Sequence, residues 1–273
     1  MSTATVALEH PGGFLAKSVR DQRRAATGWM IGIVAIALLY ASLFPSIKAS
    51  SADLQSYIDK LPDALKNVLG TDYASPAGYL RGEIFSSMGV ILLLIYAIGA
   101  GARAIAGEEE ARSLDLLLST PLRRSQVLRD KALATVAIAV ALGAALFVVL
   151  AILGPVFQLH VAVGNLAAAC LMLASLACAF GAIALAVGAT TGRRVWAIAV
   201  AAGIAVVTYI LNAVAPTVSA LEPLRPLSPF RWYLEPDPLV TGFHPANAAV
   251  LLGIAAVGYA IAFVGFTRRD LAA

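Results

Sequence analysis

Six apolar runs, each roughly the length needed to cross a bilayer as a helix, limit this chain more than any other feature. They cover residues 27–44, 84–104, 131–153, 161–189, 195–214 and 246–266. A lipid environment offers no water to backbone N–H and C=O groups, so spans of this kind must be helical. Composition agrees: 60% of the 273 residues are apolar and 13% are charged, with a mean hydropathy of +0.82. A soluble domain is about half apolar and a quarter charged. The chain is therefore expected to be an all-α polytopic membrane protein, a single membrane domain over 1–273. The first run begins too late, and lacks a small-residue cleavage site, to be the core of a signal peptide. The fourth is long enough to tilt or to carry a turn outside the membrane.

Orientation follows from the basic residues. With the N-terminus in the cytoplasm, the inside segments hold fourteen lysines and arginines (17, 20, 23, 24, 103, 112, 123, 124, 129, 131, 193, 194, 268 and 269). The outside segments hold six, at 48, 60, 66, 81, 225 and 231. That asymmetry obeys the positive-inside rule and predicts both termini in the cytoplasm of a cell with this protein in its plasma membrane. It also accounts for the sequence pI of about 9.2 without nucleic acid. No ionisable residue falls in the middle of a run, whereas ion-coupled carriers hold such groups within the membrane. Energy for any transport is then expected from outside the bilayer.

Several residue types carry no chemistry here. Cys170 and Cys178 lie in one apolar run and suit packing. His10, His160 and His244 lack ligand spacing, so no metal site is expected. No Gly-Lys dipeptide occurs, so the chain has no Walker A loop, and no catalytic triad or carboxylate pair stands out. Small residues recur through 167–188 at three- and four-residue spacing, which allows close helix approach.

The segments between the runs differ in character. Residues 14–24 place Phe14, Leu15 and Val19 on one helical face, with Lys17, Arg20, Arg23 and Arg24 largely elsewhere, as in a helix lying on the inner surface. The outside loop 46–83 repeats Leu and Ile at helical spacing around Pro62. The outside segment 215–245 contains seven of the thirteen prolines, interleaved with Phe230, Trp232, Tyr233 and Phe243. It is expected to form a stiff, partly re-entrant lid.

Between the second and third runs, residues 108–119 predict an amphipathic helix on the inner face. Glu108, Arg112, Asp115 and Ser119 form a polar stripe, opposed by Ala111, Leu114, Leu117 and Leu118. Glu108, Glu109 and Glu110 suit the positive end of a helix dipole. Thr120 and Pro121 end this helix and open the next. An acidic triplet is repelled by an anionic inner leaflet, so docking of a soluble partner explains it better than lipid anchoring.

At these residues the chain resembles the permease subunits of type-2 ATP-binding-cassette (ABC) exporters. The resemblance rests on the acidic triplet, Ser113 with the Leu-rich run to Leu118, Pro121, Arg123 with Arg124, and Lys131. Arg112 stands where that family often has Gly, and Ser113 where it often has Thr. Leu61-Pro62, the stretch Leu227 to Phe230 and the terminal Phe266 to Leu271 extend the likeness over nearly the whole chain.

The resemblance implies two permease chains, as a homo- or heterodimer, each docked to a separate cytoplasmic ATPase that binds ATP and Mg. Glu108, Glu109, Glu110, Arg112, Ser113, Leu114, Leu117, Leu118 and Pro121 would couple to that ATPase. Phe14, Leu15, Val19 and Arg20 would belong to an elbow helix beside them. This chain itself would bind no cofactor. The polar side chains Tyr40, Tyr96, Thr208, Tyr209 and Asn212, with Ser86 and Ser87, are candidates for a translocation surface, Asn212 foremost. Hydrogen bonding between helices is the other role open to them. A membrane scaffold that recruits a different partner through 108–119 is the competing reading.

Overall fold

The computed structural model describes the backbone of residues 13–50, 75–110 and 124–268, and the side chains of all of these except 13–24 and 124. Every regular element among them is helical. The chain runs α1 (Gly13–Ala49), α2 (Pro76–Glu110), α3 (Arg124–Val156), α4 (Val163–Thr191), α5 (Arg194–Val214), α6 (Pro229–Leu234), α7 (Pro238–Thr241) and α8 (Pro245–Arg268). Six of these, all but α6 and α7, are long and apolar enough to cross a membrane, one for each expected run.

Helix α4 is the post around which the others stand. In its most apolar stretch 83% of residues are buried, against 17% in α5. Its small residues explain why: α2 lies so close that a Cβ on Gly101 would sit 2.2 Å from the Gly181 carbonyl oxygen. On another side, a Cβ on Gly258 of α8 would meet Ala182 at 2.9 Å. Packing of this kind replaces the hydrophobic drive that lipid cannot supply. Helix α1 joins through one stripe, Ile33, Ala37, Ala41 and Phe44, spaced at helical period, and leaves Ile31, Leu38, Leu39 and Leu43 exposed to the surroundings.

Helix ends depart from the expected runs. Helix α2 is a 35-residue rod, about 52 Å at 1.5 Å per residue, and overshoots a hydrocarbon core of about 30 Å. It begins eight residues before the apolar run and carries on through Glu108–Glu110. The backbone stays helical into the triplet, as a π-helix over Arg103–Gly107 and an α-helix over Glu108–Glu110. Likewise α1 is one helix from Gly13 to Ala49, so the backbone of the expected elbow is continuous with the first span. The side chains of Phe14, Leu15, Val19 and Arg20 lie outside the described residues. So do Arg112, Ser113, Leu114, Leu117, Leu118 and Pro121, and with them the rest of the amphipathic segment.

Helix α4 ends at Gly192, whose φ of 68° is left-handed and whose N–H donates to the Gly188 carbonyl at 2.9 Å. Glycine takes that conformation without a Cβ penalty. Only Gly192 and Arg193 separate it from α5.

Candidate functional site

Two polar constellations are built on α2, one at each end. At its C-terminal end the acidic triplet is held by the bundle itself. The Glu108 carboxylate pairs with Lys131 at the start of α3, both side chains being largely enclosed. Glu110 accepts from the backbone N–H of Arg194 at 2.9 Å, so it caps the first turn of α5 and meets the positive end of that helix. Arg103 and Arg194 flank Gly107, where a Cβ would lie 3.3 Å from Arg103 Cβ and 4.0 Å from Arg194 Cδ. Next to Lys131, the nearly buried Asp130 takes a 3.2 Å bond from Arg129. The result is a strut that ties the end of α2 to the starts of α3 and α5.

At its N-terminal end α2 winds as a π-helix over Arg81–Met88. The Gly89 N–H reaches back five residues to the Ile84 carbonyl. An α-helix would have sent it to Phe85, so the Phe85 carbonyl is left for another donor. The Tyr233 hydroxyl supplies that donor at 2.7 Å, and the Tyr209 hydroxyl donates to the adjacent Ser86 carbonyl at 3.0 Å. Gly89 is needed here, because a Cβ would sit 2.5 Å from the Ile84 oxygen. Burial pushes the Tyr233 hydroxyl well above its ordinary pKa, with Cys170 and Asp237 adding to the shift and Arg81 opposing it. It therefore stays protonated and able to donate.

The lid that delivers Tyr233 is shaped by its prolines. Ser228 and Asp237 cap α6 and α7, accepting from the N–H groups of Phe230 (3.2 Å) and Leu239 (2.9 Å), with Pro229 and Pro238 at the first helical positions. Phe230 turns inward onto Phe180 of α4, 5.7 Å between centroids, and onto Tyr209 at 5.2 Å. Ser228 donates to the Thr208 carbonyl at 2.8 Å, and Arg81 pairs with Asp237 at 3.1 Å. Asn165 at the start of α4 donates to the Leu239 and Val240 carbonyls, both at 3.0 Å. The lid is thus bonded to α2, α4 and α5 together.

Removing the Tyr233 hydroxyl strands a buried carbonyl. Tyr233→Phe is expected to cost about 1–3 kcal/mol, and Tyr209→Phe, which is only half-buried, about 1 kcal/mol. Thermal unfolding of the purified chain gives the order. A Tyr233→Phe loss no larger than that of Tyr209→Phe would contradict this account of the π segment.

The residues proposed for a translocation surface do not converge on one site. Tyr209, Thr208 and Tyr40 gather around the π segment: the Tyr40 carbonyl accepts from Tyr79 at 2.9 Å, and its ring faces Glu83. Thr208 spends its hydroxyl on the Ile204 carbonyl of its own helix, at 2.7 Å. Tyr96 stands apart, buried edge-on to Trp29 at 6.3 Å. Asn212 is half-buried, and its Oδ1 is enclosed without a hydrogen-bond partner among the described residues. None of the five lines the apolar groove between α4, α5 and α8. Sequence reasoning missed Ser228, Tyr233 and Asp237 as fastenings, although Ser-Pro and Asp-Pro are legible as helix starts.

The comparisons with known proteins agree with this architecture. Residues 14–271 match the family described as ABC-2 family transporter protein. No curated protein matches the chain. Six membrane-length helices and a match over nearly the whole length place the chain in the ABC-2 transporter family, as a membrane permease component of an ABC transporter.

Proposed function

We propose that this permease is an exporter, driven by a separate cytoplasmic ATPase that docks on the inner face at 108–119 and carries the ATP and Mg. Two permease chains form the membrane pathway, both termini lie in the cytoplasm, and the membrane is the plasma membrane. In this proposal Phe14, Leu15, Val19 and Arg20, in the N-terminal extension of α1, act together with the docking helix. The reading is supported chiefly by the strut at the inner end of α2. A push on the segment that follows Glu110 reaches α3 through Glu108 and Lys131, and α5 through Glu110. Nucleotide in the partner would then favour one arrangement of the bundle over another through contacts that differ between the two.

The test is reconstitution. A coexpressed ABC ATPase should copurify with this chain. Leu117→Asp should leave ATP hydrolysis running while outward transport falls by tenfold or more, about 1.4 kcal/mol of coupling. A copurifying partner without ATPase activity would move the chain to the scaffold reading. Transport that follows a proton gradient without ATP would refute the proposal outright.

A further inference from the structure

Helices α4, α5 and α8 enclose an apolar groove of about 520 Å³, within the roughly 300–1,000 Å³ range of ligand sites. Val187 of α4 forms its floor, Val200 and Ile204 of α5 one wall, and Val257 of α8 the other. It opens on the side of the bundle, where Val257 is 61% exposed. Thr190 is its one polar lining residue, and that hydroxyl is already bonded to the Ala186 carbonyl at 2.8 Å. Water therefore has little to bind there.

Two further observations say what fills it. The first is Gly253, which lines the groove mid-helix and whose Cβ would meet nothing within 4 Å. Gly253 is exposed, so the groove stays open at that level to whatever lies beside the bundle. The second is charge. The groove runs along α8 from Gly253 to Ile261, about 12 Å at 1.5 Å per residue, close to the ~15 Å depth of one leaflet. Its inner end closes where Gly265 meets Thr190, a Cβ on the glycine lying 2.4 Å from Thr190 Cγ2. Just beyond, Arg193 and Arg268 are both exposed, and neither pairs with a carboxylate among the described residues. Basic pockets between membrane helices on the cytoplasmic side suit anionic headgroups.

We infer that this groove seats an acyl chain of an anionic inner-leaflet phospholipid, whose headgroup is held by Arg193 and Arg268. The assignment of the leaflet rests on the orientation proposed above. The bound lipid fills the seam between the central post α4 and its two outer neighbours.

The experiment uses the full chain in vesicles holding equal amounts of phosphatidylglycerol and phosphatidylcholine with matched acyl chains. After extraction in mild detergent, native mass spectrometry counts the lipid retained. Phosphatidylglycerol should be preferred by about fivefold for each arginine. Gly253→Phe should lose bound lipid of both kinds, and Gly253→Leu should lose part of it. Arg193→Gln with Arg268→Gln should keep lipid but lose the headgroup preference. Equal retention of the two lipids by the unaltered chain overturns the inference, as does undiminished phosphatidylglycerol on Gly253→Phe. If Gly253→Phe instead separates permease dimers and leaves lipid in place, the groove belongs to a second copy and the inference is likewise overturned. The readout needs neither ATP nor transport, so it stands apart from the exporter reading. Labelling of Arg193→Cys from outside the cell would instead sink the orientation on which the headgroup assignment rests.

Discussion

Gly101→Val should leave little folded permease. The Cβ of any residue at 101 would sit 2.2 Å from the Gly181 carbonyl oxygen and 3.2 Å from the Ala184 Cβ. The obstacle is the backbone of α4, which has no rotamer with which to give way. In the same seam, a Cβ on Gly181 would come within 3.3 Å of the Ala97 carbonyl oxygen, so neither helix has room to retreat by rolling. Overpacking in a core typically costs about 1–3 kcal/mol. Valine at this contact belongs at or beyond the upper end, because parting α2 from α4 opens the centre of the bundle. Alanine should be milder, at about 1–2 kcal/mol. Gly203→Ala supplies the control, since its Cβ meets nothing within 4 Å. It should be neutral or stabilising by up to about 1 kcal/mol. Thermal melting and size-exclusion profiles in detergent compare the three. A Gly101→Val protein that melts as the unaltered chain does would remove the basis for the α2–α4 seam.

Lys131→Met should damage both stability and coupling. It leaves the Glu108 carboxylate, whose side chain is 22% exposed, without the ammonium group that faces it. Hydrogen bonds to charged groups contribute about 1.5–3 kcal/mol, and losing one partner of an enclosed pair is worse than losing both. The single variant is therefore expected to lose about 2 kcal/mol. Glu108→Gln combined with Lys131→Met should recover much of that, giving an interaction energy in the double-mutant cycle of about 1 kcal/mol or more. Function separates further. In the complete transporter the double variant should hydrolyse ATP without matching transport, since the strut to α3 is gone. The exchanged pair, Glu108→Lys with Lys131→Glu, should restore part of the transport. Normal coupling in both Lys131→Met and the double variant would show that the pair holds the fold and does not relay motion.

The residues differ in how openly their roles are written in the sequence. The membrane helices are legible because lipid demands unbroken apolar stretches, and nothing else in a chain of this kind looks like them. Their ends are less so. Hydropathy reports immersion, while helix formation continues through Arg81 and Glu83 at one end of α2 and Glu108–Glu110 at the other. The π segment could not be read locally. It persists because Tyr233 donates to the Phe85 carbonyl, 148 residues away in the chain. The acidic triplet announced itself by charge, but its partners did not. Lys131 and the Arg194 N–H are 23 and 84 residues from their glutamates, and spacing along a chain does not reveal such pairings. For the polar spans the difficulty was the reverse. Thr208 looked available to a substrate, yet a hydroxyl on a helix readily bonds the carbonyl four residues before it, as this one does.

The short link between α4 and α5 bears on how the bundle can move. With only Gly192 and Arg193 between a deeply buried helix and a peripheral one, α5 is hung like a door leaf on a fixed jamb. Its near end is pinned, so displacement grows along the 21-residue lever arm toward Val214. At 1.5 Å per residue the arm is about 31 Å, and a swing of about 10° carries its free end roughly 5 Å. The fastenings strained first by such a swing are those near the free end, at Thr208 and Tyr209, which makes the lid the catch of that door.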